Sequence, residues 1–304
     1  MILRQAAFAK PGTFLKGNLH CHTTLSDGST SPESTVRQYA NAGYDFLAIT
    51  DHQLYNFQNF APDTGLLIIP AMEADRFLEA DTGMPVVHVV AIGPEEGNGY
   101  THGQPVHYQR GGKAIDCQDI IDDVLAANNL PILAHPMWSG NTPEETFALQ
   151  GYGLMEVWNS ASSIEWGVDE NTYHWDYLLH KGRKVFGVAS DDGHNMDVNC
   201  HGAVRVKAEK NVDSILQALK NGEFYATCGP EIYDFYIEDG KICIQCSPVS
   251  QVIARNLTAP HRIVRGENMV GAQIPLRDLC KDYIRVEIVD AQGRRAWTNP
   301  IFLK

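Results

Sequence analysis

Positive charge is in short supply along these 304 residues: 24 Lys and Arg stand against 37 Asp and Glu, a formal net charge of −13 at pH 7. A surface of that sign does not coat nucleic acid, so a nucleic-acid polymer is excluded as a general partner. Long apolar runs are missing too. Met1 to Leu19 interrupts its short hydrophobic stretches with Arg4, Lys10, Pro11, Gly12 and Lys16. That leaves neither a signal-peptide core nor a membrane span, and the chain reads as cytoplasmic with no membrane partner. The seven cysteines, odd in number and scattered, make no disulfide framework and suggest a reducing compartment. Cys243 and Cys246 lie in an alternating segment that, as a continuous strand, turns the two thiols to opposite faces, which favours packing over a zinc or redox site. Low-complexity tracts and internal repeats are absent, so disorder is excluded for most of the length.

What remains is an ordinary soluble composition with 44% hydrophobic residues, long enough for an α/β barrel plus a small appendage. From Gly17 to about Pro230, short apolar runs alternate with amphipathic helices. Strands are predicted over 18–22, 45–50, 66–73, 86–92, 131–135, 154–158, 185–190 and 203–206. Ser31-Pro32-Glu33 opens a helix and Gly43 stops it. Cys117, Ile120, Ile121, Val124 and Leu125 form a second apolar stripe, Thr142 and Glu145 a capping box, and 211–222 a last helix. After Pro230 the pattern turns to strands, with Asp239-Gly240 as a hairpin turn. Two domains are expected, 1–230 and a β-rich C-terminal module at 231–304. The glycine-rich stretch 93–112, with His102 and His107, reads as a long loop and a candidate lid.

The chemistry collects at strand ends. Asn18-Leu-His-Cys-His22 places His20 and His22 on one face of a strand, because side chains repeat with period two, and Asp27-Gly28 follows closely. Downstream, Phe46 to His52 ends in Asp51 and His52, Ile68 to Glu73 ends in a carboxylate, Leu133-Ala-His135 in an imidazole, and Val188 to His194 in Asp191, Asp192 and His194. One Asp or His where a strand regains water is common, but five such ends point to a shared centre. Nitrogen and oxygen donors suit Zn, Mn or Fe ions better than calcium or a thiolate-bound ion.

These residues resemble the PHP metallohydrolases, named for polymerase and histidinol phosphatase. The resemblance rests on His20-Cys-His22, Ser26-Asp-Gly28, Ser31-Pro-Glu33, Gly43 to His52, Glu73, Ala134-His-Pro136 and Ser190-Asp-Asp-Gly-His194. The segments Gly222 to Pro230 and Arg295 to Pro300 are further similar to the carbaryl-hydrolase branch. The resemblance implies a distorted (β/α)7 barrel holding two or three divalent ions. It implies a first ion on His20, His22, Glu73 and Asp192, a second on Glu73, His88 and His135, and a third on Asp27, His52 and His194. The Asp-Gly-His spacing at 192–194 matches the family's pattern. Asp191 is then expected to accept a hydrogen bond from a ligand imidazole, with Asp51 in the same role or as a proton donor. His174, His180, His201 and His261 are treated as structural or surface residues.

Two divalent ions pull the pKa of a shared water from 15.7 toward 7, supplying hydroxide at neutral pH without a protein base. Three functions follow: hydrolysis of a small phosphoester, hydrolysis of a carbamate or amide at the same ions, or a silent binding module. Charge ranks the first ahead. Asp27, Glu73, Asp192 and one hydroxide against three divalent ions leave about +2, which a phosphate dianion cancels and a neutral carbamate does not. The partner expected is therefore a small phosphorylated molecule. Subunit number is not legible.

Overall fold

A computed structural model gives the architecture. It describes residues 4–8, 12–77, 86–94, 99–108, 111–168, 171–257, 262–276 and 282–303. His261 and parts of the 93–112 stretch lie outside them.

The chain opens with β1 (Gln5–Ala6), β2 (Phe14–Asn18), β3 (Phe46–Ala48) and β4 (Leu67–Ile69). A second sheet takes β5 (Ala71–Phe77), β6 (Val86–Ile92), β7 (Leu130–Leu133), β8 (Leu154–Asn159) and β9 (Phe186–Ser190), in that order. The later strands are β10 (Ala203–Lys207), β11 (Phe224–Thr227), β12 (Ile232–Glu238), β13 (Lys241–Arg255), β14 (Arg262–Pro275), β15 (Tyr283–Val289), β16 (Arg295–Thr298) and β17 (Ile301–Phe302). They join β1 to β4 in one sheet of order β1-β12-β13-β15-β16-β11-β10-β2-β3-β4, with β14 on β13 and β17 on β15. The result is a mixed α/β fold without a closed barrel among the described residues. The first sheet passes residue 230 unbroken, because β11 pairs with both β10 and β16.

Three strand expectations need correction. The run 66–73 is two strands in two sheets, parted at Pro70, whose missing N–H cannot continue a ladder. Glu73 is consequently inside β5 and not at a strand end. The layout is also not uniformly parallel, since β6 runs antiparallel to both β5 and β7. Only eight residues, 78–85, separate β5 from β6, and a parallel return needs a crossover of a dozen or more. Finally, β2 stops at Asn18; His20 and His22 lie beyond it on chain that touches the segment after β9 through an isolated parallel bridge from Cys21 to Gly193.

Helices form where caps and apolar faces coincide. In α1 (Pro32–Asn41), Ser31 Oγ accepts from the Ser34 N–H, proline fills the first turn, and Val36 and Tyr39 are buried. In α2 (Gln118–Ala126), Ile120, Ile121 and Val124 face the sheet. The Thr142–Glu145 box closes reciprocally on α3 (Pro143–Ala148), at 3.2 and 2.7 Å. Two helices lack a clean apolar stripe, although Asn159 caps the first of them. A serine-rich stretch makes α4 (Ser160–Trp166), and α5 (Thr172–His180) buries His174 and Asp176 beside Trp175, so its inner face reads as half polar. Lastly, α6 (Val212–Asn221) is capped by Asn211 and ended by Gly222 at φ 74°. No helix among the described residues is long and apolar enough to cross a membrane.

Candidate metal centre

Seven segments bring the site together. Extended chain after β2 supplies His20 and His22, the loop beyond it Asp27, and the residues after β3 His52. Strands β5 and β6 supply Glu73 and His88, the end of β7 His135, and the end of β9 Asp192 and His194. Gly28 lets the 23–28 loop fold back: a Cβ there would sit 2.7 Å from the His22 carbonyl carbon.

Three sets of side chains, corresponding to the three expected ion positions, bring one nitrogen or oxygen each to within 4.8 Å of one another. In the first, Nε2 of His20 lies 3.2 Å from Glu73 Oε1 and 3.1 Å from Asp192 Oδ1, and Nε2 of His22 lies 3.3 Å from Glu73 Oε2 and 3.0 Å from Asp192 Oδ1. In the second, Glu73 Oε1 is 2.9 Å from His88 Nδ1 and 3.4 Å from His135 Nε2. In the third, Asp27 Oδ2 is 3.5 Å from His52 Nε2 and 3.4 Å from His194 Nε2, with His22 Nδ1 close by. Glu73 belongs to the first two sets.

The donors fit divalent ions. The buried Glu73 Oε2 has no hydrogen-bond partner, and two imidazole Nε2 atoms face each other at 3.2 Å across the centre. Such an array of lone pairs calls for a cation. The electrostatics agree: burial works against charge on His20, but Asp192, Glu73 and Glu156 hold its imidazole well above the ordinary range. Against the same burial penalty, Glu73 and Asp27 lift His52 to about 11, and Asp27 and Asp192 lift His194 to about 9. Glu73 and Asp192, despite burial, are held low by the surrounding imidazoles.

Two carboxylates escaped the sequence reading. Glu156, inside β8, accepts from His20 Nδ1 at 2.8 Å, from the His135 N–H and Asn159 Nδ2 at 2.9 Å, and from Ser190 Oγ. Asp75 stands 3.2 Å from His52 Nδ1 and directly across the β5–β6 ladder from His88. The signal for Asp75 was its place two residues beyond Glu73, on the same strand face. For Glu156 it was a lone acid in an otherwise apolar strand.

The expected roles of Asp51 and Asp191 are corrected. Asp51 is fully buried and accepts from the Thr23 and Ser26 amides and hydroxyls at 2.7–3.1 Å, so it shapes the 23–28 loop and faces no imidazole. Asp191 accepts from Tyr39 Oη at 2.7 Å and from the N–H groups of Cys200, His201 and Gly202. Burial pushes its carboxyl up to about 6. The carboxylate that accepts from a candidate ligand imidazole, His20, is Glu156 instead.

Of the other histidines, His174 donates Nε2–H to the Asn141 carbonyl and His201 lies 3.0 Å from that of Asp197. His102 lies against Phe57 with its ring tilted by 56°, and it does not line the cavity. His107 donates to Gln53 Oε1 at 2.8 Å, and Gln53 Nε2 donates to Asp75 at 3.0 Å. A cavity of about 500 Å³ opens beside the three sets and is walled by Gln53, Phe77, Trp138, Glu165 and Trp166.

The arrangement is that of a candidate metal-binding protein, and the comparisons name its family. Residues 18–227 match the PHP domain, and the chain belongs to that family. Over 84 residues it is 31% identical to the phosphoribosyl 1,2-cyclic phosphate 1,2-diphosphodiesterase of Eggerthella lenta, an alignment covering 26% of this chain and 31% of that curated relative. The fold is similar to that of a two-domain protein from Bacteroides vulgatus described as containing a predicted PHP-like metal-dependent phosphoesterase. There the TM-score is 0.53 at 15% identity, over 97% of this chain and 98% of that one.

Proposed function

We propose that this protein is a metal-dependent phosphoesterase that hydrolyses a small phosphorylated molecule. The observation carrying the proposal is the three nitrogen–oxygen sets, two of which share Glu73, that open on one cavity. His20, His22, Glu73 and Asp192 would hold a first ion, Glu73, His88 and His135 a second, and Asp27, His52 and His194 a third. Bound ions would supply Lewis acidity and water activated at neutral pH.

The chain's own part is to fix the donors. Glu156 takes the Nδ1 proton of His20, and the Asp192 carbonyl takes that of His194, so that each Nε2 lone pair faces the centre. Ser139 Oγ, 3.0 Å from His135 Nδ1, holds that ring in the same way. We further propose that the two sheets are arcs of one distorted (β/α)7 barrel, supported by the isolated bridges Cys21–Gly193 and His52–Glu73 that span them. Residues 1–230 would carry the chemistry, since every candidate ligand lies between His20 and His194, with 231–304 as a buttress.

A second reading, carbamate or amide hydrolysis, gains from the structure. Asp75 and Glu156 add two negative charges to the three counted from sequence, both carboxyls being held low despite burial, chiefly by His52 and His20 respectively. The net charge with three ions and a hydroxide then falls to about zero, which weakens the preference for a dianion. The deciding measurement is kcat/KM of the Zn- and Mn-loaded protein for p-nitrophenyl phosphate, bis-p-nitrophenyl phosphate and an aryl carbamate. A phosphoester ahead by tenfold or more is expected; a carbamate ahead by the same factor reverses the reading.

A further inference from the structure

We infer that the cavity takes a phosphoester bearing one flat aromatic group, seated against Trp138 and Trp166. The inference rests on the phosphoesterase reading and names the part of the substrate that the ions would not touch.

Trp138 is fixed by the turn that follows His135, in which the Ser139 N–H bonds the His135 carbonyl at 3.0 Å and the Asn141 N–H that of Pro136 at 2.9 Å. Its ring centroid lies 4.9 Å from that of His135 and 6.0 Å from that of His88. An indole therefore begins where the second donor set ends. Trp166 stands 6.2 Å from Trp138 with its plane turned by 68°. It closes α4, whose cap, Asn159, is itself tied to Glu156 and lies 3.3 Å from Asp192. The second indole is thus anchored to the metal-facing carboxylates by way of one helix.

Both rings keep water-facing surface, 37% for Trp138 and 65% for Trp166. Two exposed indoles beside a charged centre are an unusual use of apolar area, and a ligand that covered them would bury it. Phosphoryl oxygens would meet the ions at Glu73, His88 and His135, and the organic group next to them would meet Trp138. The two indole planes, far from parallel, offer one face and one edge, an arrangement aromatic rings prefer. A second anionic group is disfavoured there, because Asp75 and Glu165 line the same cavity and Asn195 Nδ2 steadies Glu165 at 3.0 Å. The cavity's size, about 500 Å³, accommodates one phosphoryl group and one ring system.

The test uses the full Zn-loaded chain with two non-hydrolysable probes, phenylphosphonate and methylphosphonate, titrated calorimetrically alongside metal analysis. Phenylphosphonate is expected to bind at least tenfold tighter. Trp166→Ala, at an exposed position, and Trp138→Leu, which keeps apolar bulk, should each remove most of that advantage while leaving methylphosphonate affinity within twofold and metal content unchanged. Equal affinity for the two probes, or variants that weaken both probes alike, would overturn the aromatic seat and leave the phosphoesterase reading standing. A fully metallated protein that binds neither phosphonate would overturn both.

Discussion

Glu156 is buried in β8, yet it accepts from four donors, two of them on candidate ligand residues. An acid in that position sets which nitrogen of His20 carries the proton, and so where its lone pair points. Replacing it by glutamine keeps the volume and turns an amide toward those donors. Glu156→Gln should weaken metal binding by about 10- to 100-fold with the fold retained. Calorimetry with Zn²⁺ and far-UV circular dichroism check this, and unchanged affinity would remove Glu156 from the ligand-orienting role. The histidines and aspartates were legible because apolar runs that halt at an imidazole or carboxylate are rare in combination. Glu156 and Asp75 were not, because they sit within strands, where the eye passes over one acid in an apolar run.

Gln53 joins two elements that sequence alone could not connect. Its φ of 56° is left-handed, a costly choice for a residue with a Cβ. Held there, its N–H donates to the Glu73 carbonyl, its own carbonyl accepts from Val106, and its amide bridges His107 to Asp75. Residues 99–108 of the expected lid, 93–112, are thereby tied to the β5 carboxylates. Gln53→Ala should speed hydrogen exchange across 99–108 about fivefold or more and loosen the third donor set through Asp75 and His52. Exchange mass spectrometry reads the first effect; an unchanged pattern would mean that the backbone bonds alone hold the loop. Turn chemistry was legible at Asp239-Gly240, where both residues take positive φ, and caps were legible at Ser31 and Thr142. The edge strand β14 was not: among the described residues it pairs only with β13, and most of it is exposed, so no burial pattern marks it. Nor was the reversed course of β6, which depends on the short span behind it.

At the scale of the molecule, two of the attachments that bind the C-terminal strands to the rest bear on a truncation. One is the shared sheet. The other is a buried ion-pair group in which Arg285 of β15 grips Asp176 of α5 at 2.6 and 2.8 Å and approaches Glu287 at 3.7 Å, with Trp175 beneath the guanidinium. Removing one side of such a pair strands a buried charge, at a cost of about 3–5 kcal/mol. A chain ended after Pro230 would lose Arg285 from Asp176 and bare the edge of β11 that β16 covers. It should accumulate as insoluble material, measured as the soluble fraction on expression; a soluble, monomeric 1–230 fragment with native circular dichroism would show that the first 230 residues fold alone.

The pairing of β2 with β10 has a consequence for how the protein is born. Gly17 meets Val204, and Gln5 of β1 meets Ile237, so the earliest strands find these neighbours only when late ones have been made. At roughly 5–20 residues per second, the first strand waits on the order of 10–40 s for its partner to leave the ribosome. His20 and His22 wait almost as long for Asp192 and His194. The proposed donor sets would then be complete only once the chain beyond β9 has emerged, about two-thirds of the way along these 304 residues. A cell short of the ion at that moment would hold a chain whose centre is closed by carboxylates paired with protonated imidazoles, which an arriving ion must displace.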